Sequence, residues 1–554
     1  MAAPAKTTGL RYWMMRVLHE CGHVSADFGA DPVHDLRVAL RRCRSMADGL
    51  MAMDPDPSWK AMKKAGKRLF QRLGDLRDVQ IMMEWLEKLQ PHPVGVDAGD
   101  PPALPPATES AERNDGVPPE AIAIPSAPDP GRSLLQILRL RETELKHAAR
   151  AALEEFDRKQ WRHWSHALPQ RAARVRPGSA VFKHLALERW TAARELHSRA
   201  MRNRSRVAFH TLRIGIKRFR YIVENFLPEQ HAAWSNDLKH MQDLLGEVHD
   251  LDVLWATALA SHVFPEDESR QHWHARVVEE RTKRIAEYRQ RTTGPASLWS
   301  VWRAGLPQGK QIQEIATRRM KLWAKTLDPD FAHSERVARL ALELYDGLGA
   351  AGLLGALNGS TANGTTTSCT NADARDSLYA AALLHDVGKS EEKKGHHKTS
   401  QELIKAHGTP LGWKAENMQR AAVVARFHAG ALPTRAHKAL RDLLPDEQRI
   451  IIRLAAILRL ANALDAAHDG HIRRVRIENA IARSPGRERR TNGFLRKPAA
   501  LGKNEALVIA ADGYAPGSPT AQTIAAERYL LETVLRRPVV VKAMKSAAPW
   551  RQTP

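Results

Sequence analysis

One short basic segment of this chain occurs twice, and this repeat constrains the fold more than any other sequence feature. The segment HDLRVALRRCR at 34–44 matches HTLRIGIKRFR at 210–220 in its histidine, its basic residues and its apolar positions. The match continues as LGDLRDV at 73–79 and LGEVHDL at 245–251, each with a lysine seven residues before the glycine. Self-similarity on this scale is typical of a duplicated supersecondary unit. The chain is therefore predicted to contain a helical hairpin in two copies.

The basic residues of each copy share one face of a helix. At about 100° per residue, offsets of 0, 3, 7 and 10 from the histidine fall within about 80° of one another. Such a stripe is usually a solvated surface. Two copies with identical spacing instead favour a binding face for an extended phosphate chain, because arginine forks match phosphate oxygens. The predicted binding residues are His34, Arg37, Arg41, Arg44, Lys67, His210, Arg213, Lys217, Arg220 and Lys239.

Apolar residues recur every three or four positions through most of the chain, which predicts helices. In the first half the clearest segments are 12–19, 36–50, 69–89, 134–156, 185–207, 212–226 and 238–259. Strand-like patterns begin only after about residue 470, where RRVRIENA, EALVIAA and RRPVVVKA accompany a helical segment at about 521–535. The predicted fold class is mainly all-α: a tandem-repeat helical bundle, a second helical domain, and a small C-terminal α/β appendage.

Two low-complexity stretches interrupt the helical pattern. Segment 91–132 is rich in proline and alanine and carries seven acids against two arginines, which predicts a disordered insertion between the repeat copies. Segment 349–374 is rich in glycine, alanine, threonine and asparagine, which predicts a flexible loop. The predicted domains are 1–290, 311–480 and 481–554.

The charge of the chain indicates the class of its partner. It has 85 lysines and arginines against 62 acids, a net charge of +23, which predicts a polyanionic ligand. The basic stripes lack interleaved aromatic residues for base stacking, so nucleic acid is the less favoured polyanion. No apolar run reaches about 18 residues, and no apolar stretch of signal-peptide length begins the chain. Neither a membrane span nor export is expected. Cys21, Cys43 and Cys369 have no metal-site spacing, which fits a reducing cytoplasm.

The second half carries an ordered series of histidines and aspartates inside apolar helical segments. Imidazoles combined with carboxylates suit Zn, Mn or Fe, and helical bundles commonly build such centres from several helices. One histidine in an apolar helix is more often structural, whereas the whole series predicts a metal site. The candidate ligands are His333, His385, Asp386, His396, His397, His428 and Asp465.

The repeat resembles the CHAD family, histidine-containing α-helical domains built from two four-helix repeats. The resemblance covers about residues 6–290 and rests on the two basic stripes and the two Leu-Gly-x-x-x-Asp segments. Members of this family bind inorganic polyphosphate in a basic central cavity and have no catalytic activity of their own. The resemblance therefore implies polyphosphate as the partner of the basic residues.

The metal series resembles the HD phosphohydrolase superfamily, in which the adjacent pair His385-Asp386 is the namesake. The ligands implied for the principal divalent metal (Mn, Zn, Fe or Mg) are His333, His385, Asp386 and Asp465. The resemblance further implies that His428 and one of His396 and His397 complete a second metal site or bind phosphate. It also implies Asp386 and Lys389 as catalytic residues, with Lys389 reaching a substrate phosphate.

A narrower resemblance covers about residues 320–545, to the C-terminal HD region of the exopolyphosphatase/guanosine pentaphosphate phosphatases. It is carried by GHHKTS at 395–400, ARFH at 425–428 and LRLANALD at 458–465. The glycine-rich phosphate-binding signature of that family's catalytic domain does not occur in this sequence, so exopolyphosphatase activity is not implied.

Two functions are consistent with these patterns. The first is a cytoplasmic polyphosphate-binding protein, with polyphosphate granules as one location, whose metal-dependent HD module hydrolyses polyphosphate, a nucleotide or another phosphate-rich small molecule. The alternative is a non-enzymatic polyphosphate-binding or granule-associated protein, in which the HD domain is structural or senses a ligand. The sequence leaves the substrate, the metal and the choice between His396 and His397 open.

Overall fold

A computed structural model of the protein describes residues 9–89, 129–354, 369–392, 394–478 and 506–544. The chain divides into two compact units, the first reaching Gln308 and the second beginning at Gly309. The described residues are mainly helical and include one small sheet, which confirms the predicted fold class. Among the helices so described, none combines the length and the apolar character needed to cross a membrane.

The first unit consists of helices that form two similar sets. They are α1 (Leu10–Ala26), α2 (Ala30–Leu50), α3 (Pro57–Ala65), α4 (Lys67–Leu89), α5 (Pro130–Glu154), α6 (Arg158–Ala172), α7 (Ala180–Asn203), α8 (Arg206–Phe226), α9 (Pro228–Ala260), α10 (Asp267–Thr292) and α11 (Leu298–Ala304). Helices α1, α2, α4 and α5 pack in chain order, as do α7, α8, α9 and α10. The two sets meet where α2 packs on α8 and α4 packs on α9. At the first contact, Gly49 lies so close to the ring of Phe226 that an added Cβ would overlap it.

The second unit is a helical body with a three-stranded sheet. Its elements are α12 (Gln311–Leu327), α13 (Phe331–Ala350), α14 (Asn371–Leu384), a short 3-10 turn (Val387–Ser390), α15 (His396–His407), α16 (Ala415–Arg426), α17 (Pro445–Leu464), β1 (Val475–Glu478), β2 (Leu507–Ala511), α18 (Pro519–Leu535) and β3 (Val539–Ala543). The central strand β2 pairs antiparallel with β1 and parallel with β3. Leu507, Ile509 and Leu531 belong to the same apolar core as the helices, so the sheet closes one side of this unit.

The predicted insertion and loop each extended too far into structured sequence. Residues 91–128 and 355–368 lie outside the described residues. Residues 130–132, however, form the first turn of α5, because Asp129 accepts a hydrogen bond from the Gly131 N–H at 3.1 Å and caps that helix. Likewise, α13 continues to Ala350, and a capping box of Thr370 and Asp373 starts α14.

Candidate functional sites in the two units

In the first unit, each repeat copy places an arginine against the glycine of the following helix. Arg37 of α2 lies over Gly74 of α4: a Cβ added at Gly74 would be 3.6 Å from the Arg37 Nη2. Arg213 of α8 lies over Gly246 of α9 in the same way: a Cβ added at Gly246 would be 4.0 Å from the Arg213 Nε. The glycines of the repeated Leu-Gly segments therefore leave space beside both guanidinium groups.

Arg37, Arg41, Arg213 and Lys217 are brought together, and we call these four side chains the basic cluster. Helices α2 and α8 pack against each other, which places the two stripes side by side. Burial first, and then the charges of Arg213 and Arg41, lower the pKa of Lys217 to about 7. Like charges crowded into a partly buried site favour the binding of an anion.

Two aspartates at equivalent positions of the copies offset part of this charge. Asp78 Oδ1 lies 4.0 Å from Arg37 Nη1. Burial raises the pKa of Asp250 to about 6, although the charge of Arg213 opposes the shift. Among the described residues, the buried Nε atoms of Arg41 and Arg213 have no hydrogen-bond acceptor. A buried unpaired N–H costs about 1–3 kcal/mol, and a phosphate oxygen is a suitable acceptor for it.

The two histidines that begin the stripes lie next to equivalent residues of the following helices. His210 Nδ1 is 3.3 Å from His249 Nδ1, and Arg77 occupies the position in the first copy that His249 occupies in the second. Burial and then Arg77 lower the pKa of His34, and burial and then Arg213 lower that of His210. At neutral pH both imidazoles are therefore neutral and can donate an N–H to a phosphate oxygen without adding charge.

The remaining predicted binding residues have other partners or are exposed. Arg44 Nη1 donates a hydrogen bond to a backbone carbonyl of α3 at 2.7 Å, and Arg220 Nη2 lies 3.6 Å from the Glu224 carboxylate. Lys67 and Lys239 are exposed, and no hydrogen bond or ion pair joins either one to the cluster in the described part of the chain. Their role in binding stays a prediction.

In the second unit, four imidazoles approach the carboxylate of Asp386. His385 Nε2 lies 3.3 Å from Oδ2, while the Nε2 atoms of His396 and His428 lie 3.2 and 3.5 Å from Oδ1. His333 Nε2, from α13, lies 4.0 Å from Oδ2. These five residues, which we call the histidine–aspartate centre, form two potential metal-binding groups that share Asp386. His333 and His385 belong to one group, and His396 and His428 belong to the other.

The structure places His396, and not His397, in this centre. His396 Nε2 is 3.0 Å from His428 Nε2. The His397 ring lies over Gly430, whose added Cβ would be 3.1 Å from the His397 Nε2. The sequence could not separate the two residues because both lie in the first turn of α15.

Asp465 lies behind His333 rather than against Asp386. Its Oδ2 is 2.7 Å from His333 Nδ1, and its two oxygens accept from Arg336 Nε at 3.0 and 2.9 Å. Carboxylates commonly orient metal-binding histidines in this way. The arrangement shows Asp465 holding the His333 ring, and its prediction as a direct metal ligand stays a prediction.

Backbone carbonyls fix the tautomers of two histidines in the centre. His385 Nδ1 donates to the Ala382 carbonyl and His428 Nδ1 to the Ala425 carbonyl, both at 2.7 Å. These carbonyls lie in the last turns of α14 and α16, where the helix leaves carbonyls without an intrahelical donor. The Nδ1 proton points the Nε2 atom of each ring at Asp386. Burial acts to lower the pKa of His385, but the charge of Asp386 outweighs it and raises that pKa, so a metal would replace a proton on the His385 Nε2.

The protonation states also suit a metal. Burial acts to raise the pKa of Asp386, but His385 outweighs it and holds that pKa well below its usual range. Burial and then the charge of His385 lower the pKa of His428 well below its ordinary value. The centre thus offers an ionised carboxylate and a neutral imidazole, the forms in which these groups bind metal ions.

Two buried atoms of the centre provide a direct test of whether a metal fits. His385 Nε2 and Asp386 Oδ1 have no well-oriented hydrogen-bond partner among the described residues, although buried polar atoms are nearly always paired. A cation is a suitable partner for each of these atoms, and the imidazole-rich donor set fits Zn, Mn or Fe better than Mg. Lys389 Nζ donates to Asp386 Oδ2 at 2.5 Å, so a single ammonium group now partly neutralises the carboxylate.

The turn that carries His385 and Asp386 is joined to α15 through Ser400 and Gly388. Ser400 Oγ donates to the His385 carbonyl at 2.6 Å and accepts from the Gly388 N–H at 2.9 Å. An added Cβ at Gly388 would overlap the His396 carbonyl and would lie 2.6 Å from the Ser400 backbone nitrogen. This close approach holds His396 beside Asp386.

Gly388→Ala is therefore expected to destabilise the second unit by about 3 kcal/mol, the upper end of overpacking effects. Each kcal/mol corresponds to roughly 2–4 °C in melting temperature for a unit of this size. Calorimetry measures the shift, with Gly349→Ala as the control because its added Cβ meets its nearest neighbour, Leu354, at an ordinary 3.4 Å. An equal shift in both variants would show that the contact with α15 is not tight.

Comparison with known proteins identifies the family of each unit. Residues 16–259 match the sequence profile of the CHAD domain, and residues 315–507 match that of the Ppx/GppA phosphatase, domain III. The chain therefore contains a CHAD domain followed by a Ppx/GppA domain III, as the sequence resemblance implied. The Ppx/GppA family is metal-dependent, and the two matches together indicate a function related to polyphosphate or nucleotide phosphates.

The solved structures similar to this chain include the CHAD domain from the plant Ricinus communis. It is 20% identical, covers 53% of this chain and 88% of its own, and has a TM-score of 0.33. Among curated proteins, none matches this chain.

Proposed function

We propose that the protein binds inorganic polyphosphate through the basic cluster and hydrolyses a phosphoester or phosphoanhydride at the histidine–aspartate centre. The observation that carries the catalytic part is the buried Asp386 carboxylate, which faces the Nε2 atoms of His385, His396 and His428. A buried ionised carboxylate among imidazoles binds a cation, and a cation is suited to meet the oxygens of a phosphoryl group.

Polyphosphate suits the basic cluster because it is charged along its whole length and carries no base. Arg37 and Arg213 come from opposite copies of the repeat, so a linear chain can contact equivalent groups on both sides. The buried Nε atoms of Arg41 and Arg213 supply donors of charge-assisted hydrogen bonds. In competition at equal phosphate concentration, polyphosphate is expected to displace DNA, and the opposite order would favour nucleic acid as the partner.

A bound divalent ion would supply two things to the reaction: a water of lowered pKa and a polarised phosphoryl oxygen. The two groups that share Asp386 contain the residues that would hold it: His333 and His385 in one, His396 and His428 in the other. Lys389 lies within reach of the same carboxylate and would turn its ammonium group to a phosphate oxygen, stabilising the negative charge that develops there. Such donors act strongly in sites that exclude water.

One observation favours the alternative, in which the second unit is structural or senses a ligand. The carboxylate of Asp386 is already paired with Lys389, and that of Asp465 with Arg336. Both acids are thus partly neutralised by the protein itself.

Metal analysis of the purified full-length chain distinguishes the catalytic function from the alternative. A stoichiometric metal that is lost in His385→Ala supports catalysis, and a metal-free protein supports the alternative.

The decisive test is a substrate screen of the full-length chain with Mn, Zn, Fe and Mg added in turn. Polyphosphate, nucleotides and guanosine polyphosphates cover the phosphoanhydride and phosphoester classes. Phosphate release from at least one of them, dependent on a metal and lost in His385→Ala, is the expected result. No release with any metal would contradict the catalytic proposal and leave the binding proposal standing.

Polyphosphate binding is expected to weaken as the pH rises from 6 to 8. A bound polyanion raises the pKa of Lys217, about 7 in the free protein, and that of Asp250, about 6. Protons are then taken up on binding, so affinity falls with pH by up to about tenfold per unit for each proton. The groups that face Lys217 come from four helices: Arg213 and His210 on α8, Arg37 and Arg41 on α2, Asp78 on α4, and Asp250 and His249 on α9.

Calorimetric titration at pH 7 in two buffers of different ionisation enthalpy measures this proton uptake directly. Lys217→Arg keeps the charge and removes the titrating amine, so it is expected to lose most of the uptake above pH 7. Lys159→Arg, at an exposed position of α6, is the matched control. An affinity that is constant between pH 6 and 8 would show that neither group responds to the ligand.

A further inference from the structure

Helix α1 of the first unit carries another cluster of metal-binding side chains, on a different element from the basic cluster. His19, Glu20 and His23 bring one donor atom each to within 4.8 Å of one another. His19 Nδ1 lies 3.3 Å from Glu20 Oε1, and His23 Nδ1 lies 3.1 Å from Glu20 Oε2. In the sequence His-Glu-Cys-Gly-His, the two histidines are four residues apart and share one face of the helix, and the Glu20 carboxylate reaches both rings.

These separations match those between neighbouring ligands of a tetrahedral metal ion. Zinc binds nitrogen and carboxylate oxygen at about 2.0–2.1 Å, so two ligands at the tetrahedral angle lie about 3.3 Å apart. Both histidine–glutamate distances are close to this value. The two imidazole rings have centroids 4.4 Å apart, so a small rotation about the side-chain bonds would close them on one ion.

Burial and pairing hold the carboxylate in place while the imidazoles stay accessible. The Glu20 side chain is 1% exposed, whereas those of His19 and His23 are 58% and 57% exposed. Arg16, one turn earlier, forms an ion pair with Glu20 and also lies 3.6 Å from Asp35 on α2. A fixed carboxylate beside two accessible imidazoles is a partly preorganised set of ligands that a hydrated ion can reach.

We propose that His19, Glu20 and His23 form a binding site for a divalent transition-metal ion of the zinc class. Imidazole favours Zn, Cu and Ni over Mg and Ca, whose preferred ligands are oxygens. The Glu20 carboxylate can only accept the Nδ1–H groups of the two rings. On binding, each ring would give up its Nδ1 proton to solvent and keep or take a proton on Nε2, so that the Nδ1 lone pair faces the ion. Water completes the coordination on the exposed side.

Zinc binding by equilibrium dialysis with elemental analysis tests the site in the full-length chain. His19→Ala/His23→Ala is expected to bind one equivalent of zinc fewer than the unaltered chain, and a tenfold excess of Mg²⁺ is expected not to displace that equivalent. Both histidines are exposed, so their removal leaves the core of α1 unchanged. The matched control is His163→Ala/His166→Ala, an exposed pair on α6 that is not grouped with a carboxylate among the described residues.

Unchanged zinc content in the His19/His23 variant would overturn this proposal, and so would an equal loss in the control. Retained phosphohydrolase activity and polyphosphate affinity are expected in both variants, because neither changes the basic cluster or the histidine–aspartate centre. Failure of the zinc site can therefore be distinguished from failure of the proposed function.

Discussion

Replacing Asp386 with asparagine is expected to lower kcat/KM for the proposed phosphate release about a thousandfold. The side chain keeps its shape but loses the charge that both metal-binding groups of the histidine–aspartate centre share. Metal ions contribute several kcal/mol to the stabilisation of such transition states, and about 4 kcal/mol corresponds to a factor of a thousand. Steady-state kinetics at saturating metal, together with metal analysis, measure both losses.

Asp386→Asn is expected to act on the site rather than on the fold. The carboxamide can still accept the hydrogen bond from Lys389 Nζ, which in the unaltered protein reaches Asp386 Oδ2 at 2.5 Å. Glu391→Gln is the matched control, since it removes one carboxylate charge from an exposed position just after the same turn. Activity within tenfold of the unaltered chain in Asp386→Asn, with circular dichroism unchanged, would place the chemistry elsewhere.

The repeat in the sequence predicted which residues of the basic site are equivalent, but not which of them are in contact. Helical spacing brought Arg37 and Arg213 to equivalent positions, and the structure places both against the glycines of the repeated segments. The same alignment also paired Asp78 with Asp250, but spacing does not show that these acids face the arginines. The low pKa of Lys217 was equally inaccessible, because it arises from burial between α2 and α8.

In the histidine–aspartate centre, the sequence likewise predicted the candidate metal-binding residues but not the residues that support them. Residue types and order predicted the series, and the fold brings His333, His385, Asp386, His396 and His428 together. The supporting residues depend on tertiary contacts that no local pattern contains.

Arg459 is the clearest of these supporting residues. It donates from Nε to Glu527 at 2.7 Å and from Nη1 to the Phe427 carbonyl at 3.1 Å, and so holds the segment that carries His428. An arginine within the apolar run of α17 was the available signal, because buried charges are nearly always paired.

Helix boundaries were the least accurate part of the prediction, for local reasons. The periodic segment 185–207 was predicted as one helix, yet α7 ends at Asn203 and α8 begins at Arg206. Arg204 adopts a left-handed conformation with φ of 48°, and Ser205 accepts a hydrogen bond from the Ala208 N–H at 3.2 Å to cap α8. Apolar periodicity continued across this break because both helices face the same core.

Arg37→Ala combined with Arg213→Ala is expected to weaken polyphosphate binding at about 0.1 M salt by a hundredfold or more. Hydrogen bonds to charged groups contribute roughly 1.5–3 kcal/mol each, and about 2.8 kcal/mol corresponds to a hundredfold change. Each single variant is expected to give a similar, smaller loss, because the two arginines occupy equivalent places beside Gly74 and Gly246. Titration calorimetry or fluorescence anisotropy with a polyphosphate of defined length measures these losses.

The salt dependence of binding separates a lost contact from a general loss of charge. Removing two phosphate contacts is expected to reduce the slope of log K against log salt by roughly 1.5–2, since each contact contributes about 0.7–0.9. Arg139→Ala/Arg199→Ala, at exposed positions of α5 and α7, removes the same charge outside the cluster and is expected to change the affinity much less. Equal losses in the two double variants would mean that net charge, rather than the paired arginines, binds the polyanion. Unchanged thermal stability in Arg37→Ala/Arg213→Ala is also expected, because removing two of four crowded cations relieves their repulsion.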